Sequence, residues 1–249
     1  MICILLTACI APKGMSQTQL QDEKIRLTQY LNALRYYLKK TTLPIVLVEN
    51  SGYDISDLFP IEISQGRLEI LTFRGNDYDK ARGKGYGEAL IIQYAMKHSD
   101  IVSKCDYLIK ITGRLIVENI NYIISDFKCF TKTEIIASFS CPGFLDSRVF
   151  IATTHFFEAV FLPKISKLSD DRGFYFEHLL QECKNQVKWR PFLFALPHIS
   201  GMSGTYGVQI KSDSIWTFNY WRVMKYNWKC WLKRIRYEFQ NLNRYTSIQ

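Results

Sequence analysis

The chain contains no run of the ~18 apolar residues that a bilayer-crossing helix needs, no Cys-x-x-Cys pair, no internal repeat and no low-complexity linker. These absences exclude a helical membrane span and a repeat array, and they argue against a zinc site. Two phosphate-binding signatures are missing as well. A dinucleotide fold needs Gly-x-Gly-x-x-Gly directly after its first strand, whereas Gly83, Gly85 and Gly87 come much later and at another spacing. A P-loop needs Gly-Lys-Ser/Thr, and here Gly83-Lys84 is followed by Gly85. Acidic residues are scarce: 23 against 32 Lys and Arg, a formal net charge of +9, which suits an anionic partner. The seven cysteines, an odd number, sit mostly in apolar runs and read as buried, reduced thiols.

What is present suits a sizeable core. Hydrophobic residues make up 47% and charged residues 22% of 249 positions, which excludes a disordered chain and fits one elaborated α/β domain or two small ones. Leu6-Thr7-Ala8-Cys9 has the outline of a lipoprotein attachment box. No Lys or Arg precedes it, and the apolar run is short for a signal core, so Ile2–Ile10 reads instead as a buried strand. A helix is expected over Asp22–Lys39, with strands at Pro44–Glu49 and Leu68–Phe73. Then come a helix at Gly85–His98 and a strand at Tyr107–Thr112. Beyond these, Glu134–Ser140 reads as a strand, Phe156–Phe161 and Phe174–Lys184 as helices, Phe192–Leu196 as a late strand and Pro197–Gly207 as a loop. Strands alternating with helices predict a mostly parallel, doubly wound sheet, with ligands at the carboxyl ends of its strands. Those ends are Ala11–Ser16, Glu49–Gly52, Arg74–Asp79 and Thr112–Arg114.

Two stretches carry most of the chemistry. Gly83-Lys84-Gly85-Tyr86-Gly87-Glu88 is a cationic, glycine-rich entry to an apolar helix, flanked by Arg74, Lys80 and Arg82. Tyr107–Thr112 is a buried-type strand that ends in Gly113-Arg114. Small residues allow a ligand to approach the backbone, and helix N-termini with nearby cations attract phosphate.

These stretches, with LLTACIAP at 5–12, PIVLVENSG at 44–52, IKITGR at 109–114, DSR at 146–148, YFEH at 175–178 and ISGMSGTYG at 199–207, make the chain resemble bacterial glycosyltransferases of the GT-A type. Such enzymes build capsule or lipopolysaccharide O-antigen chains. The resemblance implies a single GT-A-like, Rossmann-like domain over residues 1–212, followed by a helical tail over 213–249. It implies a nucleotide-sugar donor held by Thr7, Ala8, Glu49, Asn50, Arg74, Lys84, Gly85, Thr112, Gly113, Arg114, His198 and Ser203. The family's usual Asp-x-Asp, which holds a divalent metal at the end of the fourth strand, is replaced here by Thr112-Gly113-Arg114. Mg2+ or Mn2+ dependence is therefore left open. Arg114 could neutralise the leaving diphosphate in place of a metal, and Asp77 and Asp79 are the alternative metal ligands. An inverting transferase also needs a carboxylate base. The candidates are Asp146, Asp170, Asp171 and Glu177. Glu177, at an apolar helix start beside His178, is favoured, with Asp146 next.

The tail has a pattern of its own. Trp221, Met224, Trp228, Trp231, Leu232, Ile235 and Phe239 share one side of a helical wheel, and Arg222, Lys225, Lys229, Lys233 and Arg236 adjoin it. This suits an interfacial helix on an anionic inner-membrane surface, a helix packed on the domain, or both. The expected partners are thus a nucleotide sugar, an oligosaccharide or lipid-linked acceptor and a membrane face on the cytoplasmic side. Nucleic acid is not expected. The reading from another class is a nucleotide- or polysaccharide-binding protein that kept the fold and lost the chemistry.

Overall fold

The computed structural model describes residues 1–15, 18–129, 133–141, 144–204, 207–211 and 218–246. Its elements run β1 (Ile2–Ala8), α1 (Glu23–Lys40), β2 (Ile45–Glu49), α2 (Pro60–Ser64), β3 (Leu68–Thr72), α3 (Gly83–His98), β4 (Tyr107–Thr112), β5 (Ile116–Val117), α4 (Ile120–Cys129), β6 (Ile135–Cys141), β7 (Phe144–Thr153), α5 (Phe176–Lys184), β8 (Trp189–Arg190), β9 (Ile199–Met202), β10 (Gln209–Lys211) and α6 (Phe218–Thr246). A seven-stranded sheet has the order β3-β2-β1-β4-β7-β6-β8, and a small second sheet the order β10-β9-β5. In the large sheet β7 is antiparallel to both of its neighbours while every other pairing is parallel. The fold is α/β with a mostly parallel central sheet, as the alternation of strands and helices predicts.

Both faces of the sheet are covered, which explains why β1 and β2 are apolar at successive positions. Cys3 and Leu5 of β1 join Val46, Val48 and Leu108 under α3 and α5. Ile4, Leu6 and Ala8 face the other way, with Ile45, Leu47, Ile109 and Ile111, against α1 and α4. Asp22 caps α1 by accepting from Ile25 N at 2.9 Å. The five described free thiols are buried or half-buried, and the Leu6–Ala8 stretch lies inside β1.

Several local expectations are corrected. Phe192–Leu196 forms no strand, because the Asp126 carboxylate takes the N–H groups of Leu193 (2.5 Å) and Phe194 (2.9 Å). The stretch after Pro197 is not all loop: Ile199–Met202 pairs with β5 on one side and β10 on the other. The ten-residue β7 and the helix α4 were not anticipated at all. The polar triplet Asp146-Ser147-Arg148 interrupts the apolar pattern of β7, and two of its members, Ser147 and Arg148, line a crevice at the end of the sheet. Finally, α3 begins at Gly83 rather than Gly85, so the glycines lie in its first two turns.

Helix α6 docks on β6. Met224 and Asn227 are buried, Asn227 Oδ1 accepts from Phe139 N at 3.0 Å, and Tyr226 meets Phe139 edge-on. β6 needs that acceptor because its register with β7 shifts on either side of Phe139. Of the rest of the predicted apolar stripe, Trp231 and Ile235 are half-buried, the Phe239 side chain lies outside the described residues, and Trp221, Trp228 and Leu232 are 55%, 40% and 49% exposed. They share one side of the helix, next to exposed Arg222, Lys225, Lys229, Lys233 and Arg236.

Candidate active site

A crevice of about 460 Å³ opens where the parallel strands end. Its floor is Thr7 and Ala8 after β1 and Thr112 after β4, and one wall is the side of α3 through Lys84, Gly85, Gly87 and Glu88. Asn50 and Asn76 line it from the β2–β3 side, and Ser147, Arg148, Asp170 and Glu177 from the β7–α5 side. Arg114 and Ser203 line it next to the small sheet. Ten of the residues expected from sequence are therefore brought together: Thr7, Ala8, Asn50, Lys84, Gly85, Thr112, Arg114, Asp170, Glu177 and Ser203.

The others serve elsewhere. Glu49 is fully buried, and its carboxylate accepts from the backbone of Ile10, Ser51 and Tyr53 at 2.8–2.9 Å, tying the end of β1 to the turn after β2. Arg74 is exposed, and its stem packs over Gly52, where a Cβ would come 3.3 Å from it. Gly113 is required by close approach, since a Cβ there would lie 2.7 Å from the Thr7 carbonyl oxygen. His198 pairs through Nδ1 with Glu118 at 2.8 Å, outside the lining. His178 accepts from Tyr175 N at 3.1 Å and fixes the start of α5. Asp146 grips Arg148 bidentately at 2.8 and 2.7 Å, which orients that guanidinium in the crevice wall. Asp77 and Asp79 are exposed, and Asp79 caps the 80–82 turn. Lys80 and Arg82 likewise stay out of the lining; Arg82 stacks on Tyr86 and donates to the 166 and 168 carbonyls.

The glycines do not cradle an open phosphate site at the start of α3. Gly83, with φ +77, leaves room for the Asp170 carboxyl group, Gly85 for the Phe176 backbone and Gly87 for the Tyr78 hydroxyl. Asp170 takes the place that an anion would occupy at a helix N-terminus, held by the backbone N–H of Lys84. Burial raises its pKa above the ordinary carboxylate value. The Lys84 charge and backbone N–H oppose that rise, and the Glu177 carboxylate adds to it.

Two functional features escaped the sequence reading. One is an ion pair at the crevice floor. Lys110, fully buried in β4, reaches Glu88 Oε1 at 2.6 Å, the Ser147 carbonyl at 2.6 Å and Thr112 Oγ1 at 3.3 Å. Thr7 Oγ1 donates to the same Glu88 oxygen at 2.7 Å, and Ser147 Oγ donates to Glu177 Oε1 at 2.6 Å. Burial would raise the Glu88 pKa, but the Lys110 charge and the hydrogen bonds from Lys110 and Thr7 outweigh it and hold the carboxyl below its ordinary value. The signal was a lone Lys inside an apolar strand. The second is Asn76, whose buried Oδ1 joins that of the expected Asn50 as an amide oxygen with no hydrogen-bond partner among the described residues. The Asn76 orientation is fixed, because its Nδ2 donates to the carbonyls of Ala11 and Pro12.

Arg114 donates from Nε to the Met202 carbonyl at 3.1 Å, with Gly204 stacked so closely that a Cβ would lie 2.7 Å from Nη2. A divalent metal does not fit the end of β4, where a hydroxyl, a glycine and a guanidinium replace carboxylates. Among the described residues no group of three or more His, Cys, Asp or Glu side chains could hold a metal ion. Cys9 also lines the crevice, but burial pushes its thiol up to about 11, so it is no nucleophile near neutral pH.

No protein-family model and no curated protein matches the chain. Solved structures similar to it include a cytidylyltransferase from Leptospira borgpetersenii (14% identity, 85% of this chain and 81% of that chain, TM-score 0.47). Others are the inositol-1-phosphate CTP transferase from T. maritima (15% identity, 90% and 94%, TM-score 0.44) and the mannosyltransferase Ktr4p from S. cerevisiae (10% identity, 76% and 68%, TM-score 0.43). Two of these are named as nucleotidyl transferases and one as a sugar transferase.

Proposed function

We propose that the crevice binds a nucleotide sugar and that the protein transfers its sugar to an acceptor hydroxyl. The observation that carries this reading is the order of groups along one crevice. Buried acceptors without partners, Asn50 Oδ1 and Asn76 Oδ1, stand on the β2–β3 side, where they suit the N–H groups of a nucleobase. Arg114 follows, a cation suited to the diphosphate. Glu177 stands on the far side, about three strand spacings (~14 Å) from β2.

The chemistry then divides among named side chains. The acceptor oxygen attacks the anomeric carbon, and the bond from that carbon to the diphosphate oxygen breaks, its electron pair leaving with the nucleoside diphosphate. Glu177 takes the acceptor's proton, oriented by the hydroxyl of Ser147. Arg114, anchored at Nε, offsets the charge that develops on the leaving oxygen. No step is assigned to a metal.

The acceptor we favour is a lipid-linked oligosaccharide of a capsule or O-antigen type, met at the cytoplasmic face of the inner membrane. The exposed side of α6 supports this: Trp221, Trp228 and Leu232 beside five cations suit an anionic headgroup layer. No helix among the described residues is long and apolar enough to cross a membrane.

The test is a thermal-shift screen of nucleoside diphosphates and sugar nucleotides, with and without Mn2+ and with a chelator. One base should raise the melting temperature, by an amount equivalent to about 2.7 kcal/mol at a hundredfold excess over Kd. Silence across the whole panel would overturn the reading.

A further inference from the structure

The Glu88 carboxylate is anchored on one side only. Its Oε1 receives Lys110, Thr7 and Thr112, while its side chain stays 20% exposed and lines the crevice. Among the described residues no donor reaches Oε2. Three donors on one oxygen leave the other facing the cavity.

The surroundings narrow what that oxygen can meet. A carboxylate repels phosphate, so the diphosphate cannot lie against it; Arg114 supplies that place. An ionised carboxylate is an acceptor only, so its partner must donate. A ligand amine would duplicate Lys110, whose ammonium already compensates this charge. What remains is a neutral donor, an N–H or a hydroxyl, and the nucleobase N–H groups are already placed at Asn50 and Asn76. Glu88 stands over the ends of β1 and β4, between the orphaned amide oxygens after β2 and β3 and the Ser147–Glu177 pair. That is where the hydroxyl-bearing portion of a nucleotide sugar would lie.

We propose that Glu88 Oε2 accepts a hydrogen bond from a hydroxyl of the bound nucleotide sugar and makes the crevice discriminate against ligands lacking that hydroxyl. Lys110 is the positioning residue: it fixes the carboxylate and keeps its charge compensated in the sheet. This assignment rests on the nucleotide-sugar reading above. The hydroxyl belongs either to the ribose or to the transferred sugar, and two arms of one experiment separate these.

Calorimetry on the full chain would compare a ribonucleoside diphosphate with its 2′-deoxy form, and a nucleotide hexose with its deoxyhexose analogues. Loss of the relevant hydroxyl should weaken binding roughly ten- to a hundredfold in one arm. Glu88→Gln removes that discrimination but leaves Lys110 unpaired and can fail to fold. Glu88→Gln combined with Lys110→Met leaves no buried charge and answers for it. In the double variant the deoxy and parent ligands should bind within about twofold of each other. A folded double variant that discriminates as the unaltered protein does would overturn the assignment. So would an unaltered protein that binds nucleotide sugars yet ignores every hydroxyl removed. If no nucleotide binds at all, both this assignment and the nucleotide-sugar reading fall.

Discussion

Lys110 Nζ lies 2.6 Å from Glu88 Oε1, joining the middle of the sheet to the helix that walls the crevice. The lysine is fully buried, over the rings of Phe150 and Phe176 at 5.8 and 5.4 Å. Lys110→Met alone should therefore destabilise the protein by about 3–5 kcal/mol, the usual cost of leaving one partner of a buried pair uncompensated. Urea unfolding would measure it, and adding Glu88→Gln should restore much of the loss. Because the folded Glu88 pKa is depressed, its contribution is present above the unfolded value and is lost as pH falls through the folded one. A pair without coupling would show no such rescue.

Arg114 and Glu177 should separate binding from chemistry. Arg114→Ala should weaken nucleoside diphosphate binding roughly ten- to a hundredfold, the range of a charge-assisted hydrogen bond. Glu177→Gln should keep that affinity within about twofold and lower turnover on the order of a hundredfold or more. Titration calorimetry beside a transfer assay reads both. A Glu177→Gln protein with undiminished turnover would move the base to another carboxylate.

Asp170 predicts an unusual pH response. Its folded pKa is raised by burial, so its contribution to stability is full below the unfolded carboxylate value and is lost as pH rises through the folded one. Asp170→Asn should raise the melting temperature at pH 7, and the gain should shrink as pH is lowered towards 4. Equal shifts at both pH values would show that the carboxyl is as well solvated in the folded chain as in the unfolded one.

The exposed side of α6 should bind vesicles of phosphatidylglycerol and phosphatidylcholine more strongly than phosphatidylcholine alone. Lys225→Glu with Lys229→Glu should weaken that binding by roughly fivefold or more per cation, and Trp221→Ser with Trp228→Ser should weaken it on both kinds of vesicle. Cosedimentation would measure it. Equal partition onto neutral and anionic vesicles would remove the electrostatic part of the argument.

Much of the fold was legible, because β1, β2 and β4 are apolar on both faces and α1 carries its cap, Asp22, in sequence. The positions of Thr7, Asn50, Thr112 and Arg114 followed from the rule that ligands gather at strand ends. What the sequence hid was partnership. Glu49 looks like a strand-end ligand until its carboxylate is seen to hold three backbone N–H groups. The glycines of α3 look like a phosphate loop until Asp170, Phe176 and Tyr78 are seen to approach them. Glu88 and Lys110 are 22 positions apart, a spacing with no local periodicity to relate them. β7 stayed unseen because the residues it delivers to the crevice are the ones that break its apolar pattern.

Where β6 slips past β7, the amide of Phe139 is satisfied by a side chain from the far end of the chain, Asn227. A version shortened ahead of that asparagine would leave a bare N–H among packed aromatic rings. Expression trials that trim the Trp-rich end to gain solubility should therefore cut after residue 230, or expect the sheet's outer half to loosen and self-associate.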